Sequence, residues 1–459
     1  EIASCLVGSE MCIRDRSRVD MTDEAELLQR LRKREKNSID EAIRIYTPYL
    51  STVLYHMAGN SLPKEDIEEI EVENSEKSPN IIFLQLESFF DPNLVKGISF
   101  SENPLPYFEQ LVAEYPSGYL SVPCFGAGTA NTEFEVQTGM NMDDFGPGEY
   151  PYKTVLQSKV CESMAYDLKE KGYATHALHD NDGTFYDRYK VFSHLGYEDF
   201  TSIEYMDNIE MTPMGWAKDK ILTGEIGKIL DSTDGSDYIY TISVQGHGEY
   251  PTEKVLEDPA IKVTGAATEE KNNQWEYYVN QLHEMDQFVA DLIDALDNFG
   301  EKYVLVMYGD HLPTLGLTVE DVTNRYLFDT SYVIVDNMGL EKVDQTLCSY
   351  QIAAEVLDKV NIHTGTMMQY HQNRRKTKWY LQDMELLQYD LLYGKKYAYG
   401  DDGTTPFETI DMQMGIHQPE ITRVISLPDE NKVYVFGSNF TTASKIYICL
   451  LYTSPSPRD

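Results

Sequence analysis

The sequence predicts a doubly wound α/β fold, a mainly parallel sheet with helices on both faces. Three observations predict it. Short apolar runs, NIIFLQL (Asn80 to Leu86), YIYTISV (Tyr238 to Val244) and YVLVMY (Tyr303 to Tyr308), lack polar alternation. They read as strands buried on both faces, the pattern of parallel sheets. These runs alternate with segments of helical length and period, such as Glu269 to Asn298. Finally, four runs end in ionisable residues: Glu87, His179, His247 and Asp310-His311. In open α/β sheets, ligands bind just beyond the carboxyl ends of the strands.

Taken in order, Asn80 to Leu86 is the first strand. A helix is predicted over about Leu105 to Glu114 and a strand over Gly118 to Val122. Helical patterns begin near Thr129 and span about Val155 to Lys171. Ala174 to Leu178 is a strand, followed by helices over about Phe185 to Leu195 and Ala217 to Leu230. After the strand from Tyr238 come the long helix, the strand ending at Tyr308, and a βα pair, Tyr332 to Val335 with Gln345 to Val360. Lys378 to Leu392 closes the α/β region, residues 80–395.

The flanks differ. Residues 1–20 and 449–459 have no periodicity and resemble translated sequencing-adaptor sequence, so they are set aside. Residues 21–70 are helical in pattern, and Glu41 to Glu69 resembles the start of region 2 of bacterial RNA polymerase sigma factors. The aromatic promoter-melting helix does not follow; an acidic stretch, residues 71–79, comes instead. The expectation is a helical fragment joined to an unrelated α/β region, by natural fusion or by misassembly. Residues 396–419, with GDDGTT (Gly400 to Thr405), read as a linker. Residues 420–448 alternate apolar and polar, as a truncated β domain resembling an immunoglobulin-like IPT/TIG module would.

Acidic residues number 76 against 38 basic, a net charge of −38 over 459 residues. Such a surface repels nucleic acid and favours divalent cations. That counts against a sigma-type transcription protein. No apolar run of about 18 residues is present and no signal peptide is visible, so no transmembrane segment is expected. Cys124, Cys161 and Cys348 are widely spaced with no CxxC, which predicts neither a disulfide framework nor a zinc site.

The strand-end residues converge on one cleft. Ala127 to Phe134 (AGTANTEF) falls into it, with Gly126 and Gly128 leaving room for a ligand. Thr129 lies near a helix start, where free N–H groups favour an anion. Two roles suit it: an N-cap, or a hydroxyl ionised by a bound cation. Two other hydroxyls are close in sequence. Strand alternation places Ser88 on the face opposite Glu87. Thr132 falls about one turn further into the helix.

LQLESF (Leu84 to Phe89), GTANTEFEV (Gly128 to Val136), HDNDGTFYDR (His179 to Arg188) and YGDH (Tyr308 to His311), in this order, resemble lipoteichoic acid synthases. These are polyglycerol-phosphate transferases of the alkaline phosphatase/sulfatase superfamily. The resemblance implies that Glu87, Thr129, Asp310 and His311 hold Mn²⁺ or Mg²⁺, with Thr129 also the nucleophile. It implies that His179, Asn181, Tyr186, Arg188 and His247 hold the glycerol-phosphate head, with His247 also a proton donor or acceptor. Asn181 stands where the family has Asp and Tyr186 where it has Trp, and the loop Gln245 to Tyr250 is longer. The implied donor is phosphatidylglycerol and the implied acceptor a glycerol-phosphate chain or glycolipid, at the outer face of a bacterial membrane. A phosphoethanolamine transferase, phosphodiesterase or sulfatase-type hydrolase would use the same residues. Cys124-Phe-Gly-Ala-Gly128 lacks the Pro and Arg that sulfatases need to convert the cysteine to formylglycine, against ordinary sulfate ester hydrolysis.

Overall fold

The computed structural model describes residues 78–445, except Pro147, residues 401–402, residues 428–431 and Thr442. The adaptor-like ends, the sigma-like segment 21–70 and most of the acidic stretch 71–79 lie outside the described residues. The chain divides into two compact units, residues 71–388 with 405–459, and residues 1–70 with 389–404. In the smaller unit the Ala398 N–H donates to Asp390 (3.0 Å), beside a 3-10 turn at Tyr397–Tyr399.

The larger unit is built on strands β1 (Asn80–Leu86), β3 (Ser117–Ser121), β4 (Ala174–His179), β5 (Asp199–Ser202), β6 (Asp237–Ile242), β8 (Tyr303–Gly309), β9 (Asp329–Asp336), β10 (Leu347–Cys348) and β11 (Gln413–Met414). They form one sheet in the order β10-β3-β9-β8-β1-β6-β4-β5-β11. All neighbours are parallel except β9, which runs antiparallel to both β8 and β3. Two short pairs lie outside the sheet. β2 (Ser99–Phe100) pairs with β7 (Val263–Thr264), and β12 (Glu420–Leu427) forms a hairpin with β13 (Lys432–Ser438).

The helices are α1 (Pro106–Glu114), α2 (Thr129–Thr138), α3 (Met164–Lys169), α4 (Arg188–Leu195), α5 (Ile221–Leu230), α6 (Glu269–Phe299), α7 (Ser349–Lys359), α8 (Thr366–Arg374) and α9 (Tyr380–Leu392). Every residue of β1 and β8 is buried, as expected for strands covered on both faces. Alternate residues serve the two layers. Ile82, Leu84, Leu305 and Met307 pack with Phe108 of α1, Ile226 of α5 and Leu282 and Phe288 of α6. On the other face Phe83 meets Tyr238 edge-on (6.2 Å), and Tyr197 lies against Tyr238 and Tyr240. Thr268 caps α6, its hydroxyl accepting from the Lys271 N–H (3.2 Å), and Glu269 and Glu270 complement the helix dipole.

Several elements differ from expectation. The helix expected over Val155 to Lys171 splits into a 3-10 turn at Val155–Gln157 and the shorter α3. Ser163 starts α3 afresh, its Oγ accepting from the Ala165 N–H (3.2 Å). The helix expected from Phe185 begins at Arg188, because Tyr186 and Asp187 have φ of 58° and 56°. The strand expected at Tyr332 runs antiparallel: residues 310–328, which join β8 to β9, contain no crossover helix to carry the chain back. Gln413-Met414, in the stretch read as linker, adds the last strand of the sheet.

Candidate active site

Parallel pairing of β1 with β8 sets Leu86 opposite Gly309. Glu87 and Asp310 therefore leave the sheet side by side. The N–H groups of Ser88 and His311 both donate to Asp310 Oδ1 (2.8 and 2.7 Å), which locks that carboxylate. His311 Nδ1 donates to the Leu312 carbonyl (3.0 Å). This fixes the tautomer and leaves Nε2 free as an acceptor, 3.4 Å from Asp310 Oδ2 and 3.6 Å from Glu87 Oε1. The three ligand atoms lie within 4.8 Å of one another, all buried. Burial, then Glu87, pushes the Asp310 carboxyl up to about 7. Burial opposes a charge on His311, but Asp310 and Glu87 outweigh it and raise its pKa. Two crowded carboxylates out of water call for a cation.

Thr129 completes the group. Gly128, at φ 108°, turns the chain into α2, where a Cβ would lie 3.0 Å from that of Cys124. Thr129 is the first residue of α2, and its Oγ1 donates to Glu87 Oε2 (3.2 Å) and lies 3.4 Å from His311 Nε2. Gln85 sits beneath it: its Oε1 accepts from the Tyr240 and Tyr308 hydroxyls (3.1 and 2.8 Å), and its Nε2 reaches toward the Thr129 carbonyl (3.5 Å). Thr132 is turned away, donating to the Asp310 carbonyl (2.9 Å). Cys124 is buried, with its thiol directed at the Gly128 carbonyl and its pKa pushed up by burial.

Ser88 does not lie on the opposite face from Glu87. β1 ends at Leu86, and Ser88 takes φ 54°, which breaks strand alternation. Its Oγ donates to Glu87 Oε1 (2.9 Å), so two hydroxyls flank that carboxylate.

The residues expected to hold a head group form a second cluster. Arg188, 1% exposed, directs Nε and Nη2 at the two oxygens of Glu133. Its fork is thereby taken up inside the protein rather than presented to an open pocket. The remaining Nη1 meets His179 Nε2 (3.2 Å), while His179 Nδ1 donates to the Ile242 carbonyl (3.0 Å). Burial, then Arg188, drives the His179 pKa well down, so the ring is neutral. The Tyr186 ring lies 5.3 Å from the Arg188 guanidinium carbon. Asn181 is half-buried, and its carbonyl accepts from the Ile203 N–H (3.2 Å). His247 is half-buried after β6 with its ring against Trp216 (4.3 Å). No hydrogen bond among the described residues joins it to the Glu87 cluster.

Three buried carboxylates around these residues escaped sequence reasoning. Glu133 lies four residues after Thr129 on the same face of α2, a spacing that points to it. Asp219 Oδ1 accepts from the N–H groups of Val244 and Gln245 (3.1 and 2.9 Å), holding the turn that leads to His247. Burial pushes the Asp219 carboxyl up to about 6 and, with Asp219 beside it, raises Asp180 well above the usual range. Only the fold brings these two together. Gly246 belongs to the same turn: a Cβ there would stand 2.1 Å from the Glu87 carbonyl oxygen.

The sequence profile named Sulfatase matches residues 79–366, more than half of the chain. A Rhizobium meliloti (strain 1021) protein named for cyclic beta-1,2-glucan modification is 26% identical over 362 residues, covering 70% of this chain and 56% of that protein. A lipoteichoic acid synthase of Staphylococcus saprophyticus is 26% identical over 249 residues, 51% of this chain and 36% of that enzyme. The chain thus spans about half, or less, of the length of these curated relatives. Among solved structures, the Streptococcus pyogenes phosphoglycerol transferase GacH in complex with sn-glycerol-1-phosphate matches with TM-score 0.64 and 21% identity, over 77% of this chain and 94% of that one. The lipoteichoic acid synthase LtaP from Listeria monocytogenes matches with TM-score 0.52 and 20% identity, over 70% and 80%. The sheet and helix order is that of the alkaline phosphatase/sulfatase fold, and the chain belongs to the sulfatase family.

Proposed function

We propose that the chain is a metal-dependent phosphotransferase that moves glycerol phosphate from phosphatidylglycerol to a polyglycerol-phosphate or glycolipid acceptor through a phospho-threonine intermediate. One observation carries this reading. A threonine hydroxyl at a helix start touches Glu87 and His311, within a buried group that includes Asp310. The family names of the relatives support the substrate class.

The residues fit a divalent ion. Asp310 Oδ2 is buried with no hydrogen-bond partner, an orphaned donor to a cation. Two carboxylates, one imidazole nitrogen and one hydroxyl suit Mn²⁺ or Mg²⁺, and Glu87, Thr129, Asp310 and His311 would hold it. When bound, the ion supplies Lewis acidity, easing ionisation of the hydroxyl and offsetting phosphate charge.

The chain's own groups do the rest. Thr129 Oγ1 attacks phosphorus, its proton leaving on the Glu87 side. The bond from phosphorus to diacylglycerol breaks, and the departing oxygen takes a proton; His247 is the assigned donor. The N–H groups at the start of α2 favour the phosphate oxygens. An acceptor hydroxyl then attacks phosphorus, giving its proton to His247, and the phosphorus–Thr129 bond breaks as Oγ1 takes back the proton held on the Glu87 side. Arg188 acts at one remove: fixed by Glu133, it holds the Nε2 side of His179. By resemblance the site works at the outer face of the membrane. No helix among the described residues is long and apolar enough to cross one.

The test is release of fluorescent diacylglycerol from labelled phosphatidylglycerol by the full chain with Mn²⁺, and its loss on chelation. No release with Mn²⁺ or Mg²⁺ sinks the reading. Release from phosphatidylethanolamine alone would reassign the head group.

A further inference from the structure

A tight hairpin, residues 210–218, packs against the turn that carries His247. The Thr212 N–H donates to the Trp216 carbonyl (2.7 Å), the Trp216 N–H to Thr212 Oγ1 (3.1 Å), and the Lys218 N–H to the Glu210 carbonyl (2.8 Å). Two anchors tie the outgoing limb of the hairpin to the His247 turn. Asp219 Oδ1 accepts from the N–H groups of Val244 and Gln245, and the Asp219 N–H donates back to Gln245 Oε1 (2.9 Å). Glu284 of α6 accepts from both Lys218 Nζ (2.9 Å) and Gln245 Nε2 (2.6 Å).

This double clamp sets Trp216, just before it on one limb, against His247, just after it on the other. Their ring centroids are 4.3 Å apart and their planes meet at 45°. Trp216 is half-buried, and Met211 and Met214 beside it are exposed, so the indole is not an anchor in the core. His247 Nδ1 donates to the Gly248 carbonyl. That leaves Nε2 as the ring nitrogen able to exchange a proton with a substrate. An imidazole held by one hydrogen bond can still swing about it, and a flat aromatic surface against its face removes that freedom. An indole face also accepts a cation, so the contact persists while the ring carries the proton.

We infer that Trp216 is a positioning residue for the transfer, its indole holding the His247 ring in the plane that aims Nε2 at the reacting oxygen. The inference rests on the proposed transferase reading and deepens it. In that reading His247 gives a proton to the departing diacylglycerol oxygen and takes one from the acceptor hydroxyl. Trp216 acts through His247, not on either substrate. Both half-reactions pass a proton through Nε2, so both slow when the ring is free to turn. Binding of the lipid itself does not depend on this contact, so the effect falls on kcat rather than KM.

Two measurements on the full chain test this: diacylglycerol release from phosphatidylglycerol with Mn²⁺, and histidine ring-proton resonances with diamagnetic Mg²⁺. Trp216→Leu should lower kcat by on the order of tenfold to a hundredfold and change KM by no more than about twofold. Trp216→Phe, which keeps an aromatic face, should restore most of the rate. In a His247→Gln background, Trp216→Leu should cost nothing further, because the two residues act as one unit. The His247 resonance, identified by its loss in His247→Gln, should lie upfield in the native protein under the indole ring current and return to an ordinary position in Trp216→Leu. An unchanged kcat in Trp216→Leu, an effect on KM alone, no rescue by Trp216→Phe, or a full further loss in the His247→Gln background overturns the inference. Native turnover that Trp216→Leu leaves intact, while the resonance shifts as expected, sinks the positioning role and leaves the transferase reading standing. If the native protein releases no diacylglycerol, the transferase reading fails and the inference falls with it.

Discussion

Arg188 and Glu133 form a two-point ion pair sealed from solvent, with side chains 1% and 0% exposed. The pair joins the start of α4 to the second turn of α2, one turn beyond Thr129. A pair this deep is costly to break from one side, since the surviving charge stays buried. Glu133→Ala should therefore destabilise the protein by about 3–5 kcal/mol. Arg188→Lys keeps the charge but loses the planar fork, so it should also weaken both stability and turnover. Urea unfolding checks the first claim; a loss below about 1 kcal/mol would show that the pair relaxes or hydrates.

His176 predicts a pH dependence far from the candidate site. It sits on β4 between Asp199 (2.7 Å) and Asp237 (3.3 Å). Burial opposes its charge, but the two carboxylates prevail and raise its pKa to about 9. A group raised above its unfolded value of about 6.5 stabilises the fold fully below that pH. The contribution fades as pH climbs through about 9. Stability measured between pH 6 and 10 should fall over this window, and His176→Gln should flatten the fall. An identical slope in the variant would refute the assignment.

The turn after β6 leaves no room for a side chain. At Gly246 a Cβ would sit 2.1 Å from the backbone oxygen of Glu87, an atom that cannot swing aside as a side chain can. Gly246→Ala should displace Glu87 and lower metal affinity by one to two orders of magnitude, roughly the effect of losing an outer-shell partner. Mn²⁺ titration followed by electron paramagnetic resonance measures this. An unchanged affinity would mean that the β6 turn, not Glu87, gives way.

The strands and their acidic or imidazole ends were legible because burial on both faces leaves a plain apolar run. Glu87 and Asp310-His311 stand where those runs stop. The chain's direction in β9 was not legible, since an apolar strand reads the same whichever way it runs. Gln413-Met414 is too short to show any period. Ser88 misled for a physical reason: alternation holds only while φ stays extended, and here the strand ends at Leu86. Arg188 was legible as a residue and not as a contact. Its partner Glu133 lies 55 positions away and meets it only once α2 and α4 pack.

The Ser88 contact sharpens the last prediction, which concerns the nucleophile. Ser88 Oγ and Thr129 Oγ1 donate to the two oxygens of the same carboxylate, at 2.9 and 3.2 Å. Proximity to Glu87 therefore does not single out Thr129. Two further features do. Thr129 opens α2, where unpaired N–H groups favour a phosphate. Its Oγ1 also lies 3.4 Å from His311 Nε2. Ser88 sits at a strand end, where its own N–H is committed to Asp310. Thr129→Ala should abolish lipid turnover, and Thr129→Ser should retain part of it. Ser88→Ala should lower turnover less, by about tenfold, as the loss of a supporting hydrogen bond would. Mass spectrometry of enzyme stalled with donor lipid and no acceptor should find glycerol phosphate on the peptide containing Thr129. The same adduct on Ser88, or full activity in Thr129→Ala, would move the nucleophile to Ser88 or to a water molecule and overturn the mechanism.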